Sequence, residues 1–113
     1  MTNGRTLRRL ALQLDGTTEA PHFDRMAFKV ARTYVTLAAD GLSANFRFTP
    51  DEQALKCTLL PSAFSPVANA WGAQGWTVGV LAAMTDDDLK AALELAWQHA
   101  RPRPKARRKP KAV

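Results

Sequence analysis

Leu7, Leu10, Ala11 and Leu14 recur at i, i+3, i+4 and i+7, which draws one apolar stripe along a helix from about Gly4 to Leu14. Asn3 is placed to cap that helix and Gly16 to stop it. Arg5, Arg8 and Arg9 fall on its solvent side, and Leu12 falls there with them. From Met26 the period changes to two. Met26, Phe28 and Val30 share a face against Ala27 and Lys29, Val35 and Leu37 oppose Tyr34 and Thr36, and Leu42, Ala44, Phe46 and Phe48 alternate with Ser43, Asn45 and Arg47. Asp40-Gly41 joins the last two runs as a hairpin turn, because both residue types tolerate positive φ. The pattern predicts an antiparallel meander with one oily and one polar face. Parity puts Lys29, Tyr34, Thr36, Asn45 and Arg47 on the polar face.

Thr49-Pro50-Asp51-Glu52 is a capping box with proline at the first helical position. It opens a short helix carrying Leu55 and Leu59, with Glu52 and Lys56 at pairing distance along the helix. Residues 61–75 read as loop, punctuated by Pro61, Pro66, Gly72 and Gly75, and Thr77 to Leu81 read as a final strand. Thr85 then caps a last helix, with Asp86, Asp87 and Asp88 in the turn where the helix dipole favours negative charge. Leu89, Ala92, Leu93, Ala96, Trp97 and Ala100 form its apolar stripe, and Pro102 and Pro104 end it. The order α-β-β-β-α-β-α predicts an α+β two-layer sandwich, an antiparallel sheet with helices packed on one face and the other face open.

Charge changes this picture at one place only. The net charge is +6, but Arg101, Arg103, Lys105, Arg107, Arg108, Lys109 and Lys111 supply seven positive charges with no acid among them. Without these seven of the sixteen Lys and Arg, residues 1–100 hold nine against ten Asp and Glu. Two parts are therefore expected: a nearly neutral domain over residues 1–100 and a basic, disordered tail over residues 101–113. One cysteine, Cys57, cannot make an internal disulfide, which suits a reducing cytoplasm. No apolar run approaches a membrane span, and none follows the early arginines as a signal peptide would require.

The chemistry on offer is that of binding. His22 and His99 have no second ligand at metal spacing, and Cys57 has no evident histidine partner, so neither a metal, a cofactor nor an enzymatic site is expected. Two features remain. The tail attracts phosphate. The stretch Asn69-Ala70-Trp71-Gly72-Ala73-Gln74-Gly75-Trp76-Thr77 sets two tryptophans among glycines that let a backbone turn or approach closely. Beside the polar sheet face, Lys29 and Arg47 are placed to meet phosphates. Trp71 and Trp76 can wall a cleft for a planar ligand, with His22, Tyr34, Gln74 and Arg47 as polar fixers.

Four segments resemble one known family. Leu14-Asp15-Gly16-Thr17-Thr18-Glu19 is similar to its LPGxxE segment and Ala27-Phe28-Lys29-Val30 to its first strand. Asn45-Phe46-Arg47-Phe48-Thr49-Pro50-Asp51 resembles its third strand running into the short helix, and Gly75-Trp76-Thr77 its HWxT/V signature. In order and spacing these segments resemble the MmcQ/YjbR family over about residues 5–100. The resemblance implies a CyaY/frataxin-like fold, a double-wing DNA-binding role and no general catalytic activity. The chain departs from that pattern in its loop, where Ala70–Trp76 carries no charge in place of a basic HLNKxHW, and Arg47 replaces a strand lysine. Together these readings give an expected cytoplasmic, monomeric, non-enzymatic protein that binds DNA weakly and salt-sensitively. Its DNA contacts would be Lys29, Arg47 and the tail, and the alternative is a module for a planar small molecule. Leu12 and Leu95, facing away from their helix cores, add a lesser protein-interaction possibility.

Overall fold

The computed structural model describes residues 1–102. The Asn3 side-chain oxygen accepts from the Thr6 amide at 2.9 Å and starts α1, Gly4–Gln13, whose Leu7 and Ala11 are buried on the predicted stripe. Gly16 then turns the chain at φ +78°, which is cheap only without a β-carbon.

Four strands follow, not three: β1 (Thr18–His22), β2 (Arg25–Lys29), β3 (Thr33–Leu37) and β4 (Ser43–Arg47). Thr-Glu-Ala-Pro-His carries no alternation because β1 is an edge strand with no residue fully buried. The chain continues through α2 (Pro50–Leu59), β5 (Phe64–Pro66), the single turn α3 (Ala70–Ala73), β6 (Trp76–Val80) and α4 (Asp86–Ala100). Residues 61–75, expected as loop, thus contain β5 and α3, elements too short to show a period. All strand pairs are antiparallel in the order β1-β2-β3-β4-β6-β5. Both edge strands carry a proline, Pro21 and Pro66, which leaves gaps in the ladder that another strand would need.

The α+β two-layer expectation holds. Phe28, Val35 and Phe46 from the sheet share one core with Leu7 and Ala11 of α1 and with Leu89, Leu93 and Ala96 of α4. Phe64 joins that core edge-on to Phe46 and Phe48, with ring centroids 6.0 Å apart in each pair. The caps are as read: Thr49 with Glu52 and Thr85 with Asp88 each form a reciprocal box.

Two expectations need correcting. Tyr34 does not lie on the open face. The β2–β3 register runs Phe28↔Val35 and then Lys29↔Thr33, so Tyr34 is the extra residue of a bulge. A bulge re-aims its side chain and breaks the parity count by one. Tyr34 is fully buried, and its hydroxyl lies 2.8 Å from Thr17 Oγ1 and 3.4 Å from the Ala11 carbonyl it donates to. The second concerns the Glu52–Lys56 pair of α2, a helix that leaves Leu55 and Leu59 57% and 64% exposed and packs Cys57 against the core. Glu52 there bonds His99 instead of Lys56, and Lys56 sits over the Phe64 ring.

Burial holds the Tyr34 phenol above its ordinary range, with the Thr17 hydrogen bond pulling weakly the other way. A group raised by folding stabilises the native state below its unfolded pKa, about 10 for tyrosine, and loses that contribution as pH rises through the folded value. Tyr34→Phe is therefore expected to cost about 1 kcal/mol at neutral pH and to flatten the loss of stability above about pH 10. Urea midpoints from pH 7 to 11 check this, and a variant as alkali-sensitive as the native chain would contradict it.

Candidate nucleic-acid interface

The last residue of β4 is Arg47, opposite in parity to the buried Phe46, so its side chain leaves the core. It pairs in register with Trp76, and its guanidinium carbon lies 5.8 Å from the centre of that indole, within cation–π range. This pair forms a ridge between two clefts, because Arg47 lines one and Trp76 the other.

The first cleft, about 300 Å³, lies at the end of the sheet. Its walls come from Arg32 and Thr33 at the start of β3, Arg47 to Pro50 from the end of β4 into α2, Gln74 after α3, and Ala96, His99 and Ala100 at the end of α4. Arg32 is fixed by the helix it approaches. Its Nη2 donates to the His99 carbonyl at 2.7 Å, and the Ala31 amide donates to the Ala100 carbonyl at 3.2 Å. Both bonds satisfy carbonyls that a helix end leaves free, and the cation suits the negative end of the dipole. His99 Nε2 lies 2.8 Å from Glu52 Oε1, and Glu52 also accepts from the Thr49 amide at 2.9 Å, so α4 ends docked on the start of α2. No carboxylate lines this cleft, and neither Arg32 nor Arg47 is ion-paired among the described residues.

The second cleft, about 230 Å³, lies on the open sheet face. Thr36 and Asn45 form its floor and His22 and Arg25 one side, while Val67, Asn69, Trp71 and Trp76 wall the other. Arg25 is held across the floor, donating through Nε to Thr36 Oγ1 at 2.9 Å and through Nη2 to the Thr36 carbonyl at 3.0 Å. The tryptophan wall owes its position to close backbone approaches. A β-carbon on Gly72 would meet the Val67 carbonyl, and one on Gly75 the Phe48 carbonyl. The Gln53 side-chain nitrogen donates to the Gly72 and Trp76 carbonyls at 2.9 Å each, pinning the segment to α2. Trp76 is half-buried, while Trp71 is 56% exposed.

The structure thus divides the residues read from the sequence. His22, Trp71 and Trp76 come together on the open face, and Arg47 and Gln74 line the end cleft. Tyr34 is in the core, away from both. Lys29 is exposed on β2 opposite Thr33, outside both clefts. Arg101 follows α4 with its guanidinium 4.6 Å from the centre of the Trp97 ring. Arg103, Lys105, Arg107, Arg108, Lys109 and Lys111 lie outside the described residues. Sequence reasoning missed Arg25, because the strand it opens reads as starting at Met26, and Arg32, whose partner His99 is 67 positions away. Cys57 is half-buried and its thiol is pushed up by burial, the opposite of an activated nucleophile. Among the described residues no three His, Cys, Asp or Glu gather to hold a metal ion, and no helix is long and apolar enough to cross a membrane.

No family model matches the chain, and no curated protein matches it in sequence. Among solved structures it is similar to the crystal structure of Deinococcus radiodurans protein DR2400, which has a DUF419 domain. The TM-score is 0.71 at 19% identity, covering 85% of this chain and 76% of that one. At that identity the likeness is one of fold.

Proposed function

We propose that this is a non-enzymatic DNA-binding domain of the MmcQ/YjbR type that grips the phosphate backbone. Arg32, Arg47 and Lys29 supply the contacts on the domain, and the basic residues from Arg101 onward add to them. One observation carries the reading: two arginines without an ion-pair partner among the described residues line a cleft at the end of α4, where the run of seven basic residues begins. Its nearest carboxylate, Glu52, is engaged by His99. α4 separates charge along its length. Asp86, Asp87 and Asp88 occupy its first turn, and Arg101 stands at its other end, 15 residues on, a span of roughly 22 Å. The sequence resemblance over residues 5–100 supports the same reading independently.

Backbone contacts give affinity without sequence readout. Arg47→Ala and Arg32→Ala are each expected to weaken binding to unrelated duplexes alike and to lower the slope of log K against log salt by about one. Fluorescence anisotropy on two duplexes of different sequence measures both quantities. Slopes equal to that of the native chain would remove the end cleft from the interface.

The open-face cleft favours a second reading, a binder of a planar small molecule, because its half-exposed Trp71 faces polar groups across a cavity of about 230 Å³. Tryptophan fluorescence titrated with planar aromatic compounds tests it, and a flat response contradicts it.

A further inference from the structure

The turn between β1 and β2 holds a feature that the fold does not need. His22 pairs with Arg25 and leaves only Phe23 and Asp24 in the loop. Phe23 sits at φ +58°, the one non-glycine residue with positive φ among the described residues. Two-residue hairpin loops with positive φ at the first position take glycine, since a β-carbon there is strained. Phe23 is also 94% exposed, more than any other aromatic residue described. Here the chain accepts backbone strain and an aromatic ring in water at a position glycine would fill better. Strain of this kind concentrates where a side chain is displayed for use.

The ring is displayed toward a particular surface. Phe23 stands edge-on to His22 at 4.8 Å between centroids, and His22 lines the open-face cleft whose far wall is Trp71. Between them lie Arg25, held by its two bonds to Thr36, and Asn45, with no carboxylate in the lining. Lys29 and Arg47 lie on the strands flanking β3, roughly two strand spacings or 10 Å apart.

We infer that Phe23 and Trp71 form a stacking platform for unpaired bases, so that the open face takes single-stranded nucleic acid. The inference rests on the phosphate-binding reading above and adds the state of the strand. Bases in a duplex present no free faces to a protruding ring, whereas each unpaired base does. The cleft lining, which holds Arg25 and no carboxylate, complements a polyanion, and the one acid beside it is Asp24 in the turn.

The test uses the full chain, with a labelled oligothymidylate of about 16 nucleotides and a duplex of the same length at one salt concentration. Phe23→Gly relieves the strain and is expected to raise the melting temperature, so that lost binding cannot be ascribed to unfolding. It and Trp71→Ala are each expected to weaken single-strand binding about tenfold while leaving duplex binding within about twofold. Single-strand affinity unchanged in both variants, or reduced equally with duplex affinity, overturns the platform. In either case the phosphate reading stands if duplex binding still depends on Arg47. A native chain that binds neither probe overturns both.

Discussion

Gly75→Ala is expected to destabilise the protein by about 3 kcal/mol, lowering the melting temperature by roughly 15 °C for a domain of this size. Two costs add at this position. Gly75 has φ +111°, a region closed to residues with a β-carbon. That β-carbon would also press into the Phe48 carbonyl, which lies on the path from β4 to α2. The Gly75 carbonyl accepts from the Phe48 amide at 3.2 Å, so the two segments cannot separate without losing that bond, and it also accepts from Thr77 Oγ1 at 2.9 Å within its own segment. Gly41 supplies the control. It also has positive φ, +73°, but nothing lies within 4 Å of its missing β-carbon. Gly41→Ala should therefore cost only the conformational part, about 1 kcal/mol. Guanidinium unfolding of both variants measures the difference. Equal costs would mean that the tryptophan segment is not pressed against the β4–α2 junction, and the open-face cleft would lose the wall that defines it.

Ending the chain at Pro102 is expected to remove most of the duplex affinity, on the order of 100-fold near physiological salt. Six of the seven basic residues between Arg101 and Lys111 go with the cut. Each phosphate neutralised adds about 0.9 to the salt slope, so a tail that engages with most of its charges should take about four or five units with it. The domain itself is left whole, because α4 closes at Ala100 and the Arg101 amide still donates to the Trp97 carbonyl at 3.2 Å. A residual, shallower salt dependence should remain from Arg32, Arg47 and Lys29. Parallel slopes for the two chains, measured by anisotropy across a salt series, would make the basic segment incidental.

Local chemistry was legible where it acts within one turn or one strand. The three cap residues Asn3, Thr49 and Thr85 each start a helix as their spacing implies. The alternation around Phe28, Val35 and Phe46 correctly names the core face of the sheet. The glycines of the tryptophan stretch read as places for a tight turn or a close approach, and Gly72 and Gly75 make that approach to the chain's own Val67 and Phe48 carbonyls. What escaped depends on partners distant in sequence. β1 is a strand because β2 pairs with it, and its exposed edge imposes no apolar alternation. Tyr34 is buried because a bulge adds one residue to β3, and a parity count has no means to anticipate it. α2 carries Leu55 and Leu59 exposed and turns Cys57 inward, an orientation its own period does not show. The end cleft exists because α4 returns to the β2–β3 turn, bringing His99 to Arg32, and no local pattern encodes that return.

Amide chemical shifts of the isotope-labelled full chain, followed while a short DNA duplex is added, locate the contact surface residue by residue. The largest changes are expected at Arg32, Thr33 and Arg47 and from His99 to Arg101, growing together and vanishing at high salt. Changes centred instead on the exposed Leu55 and Leu59 side of α2, with the end cleft silent, would contradict phosphate binding there.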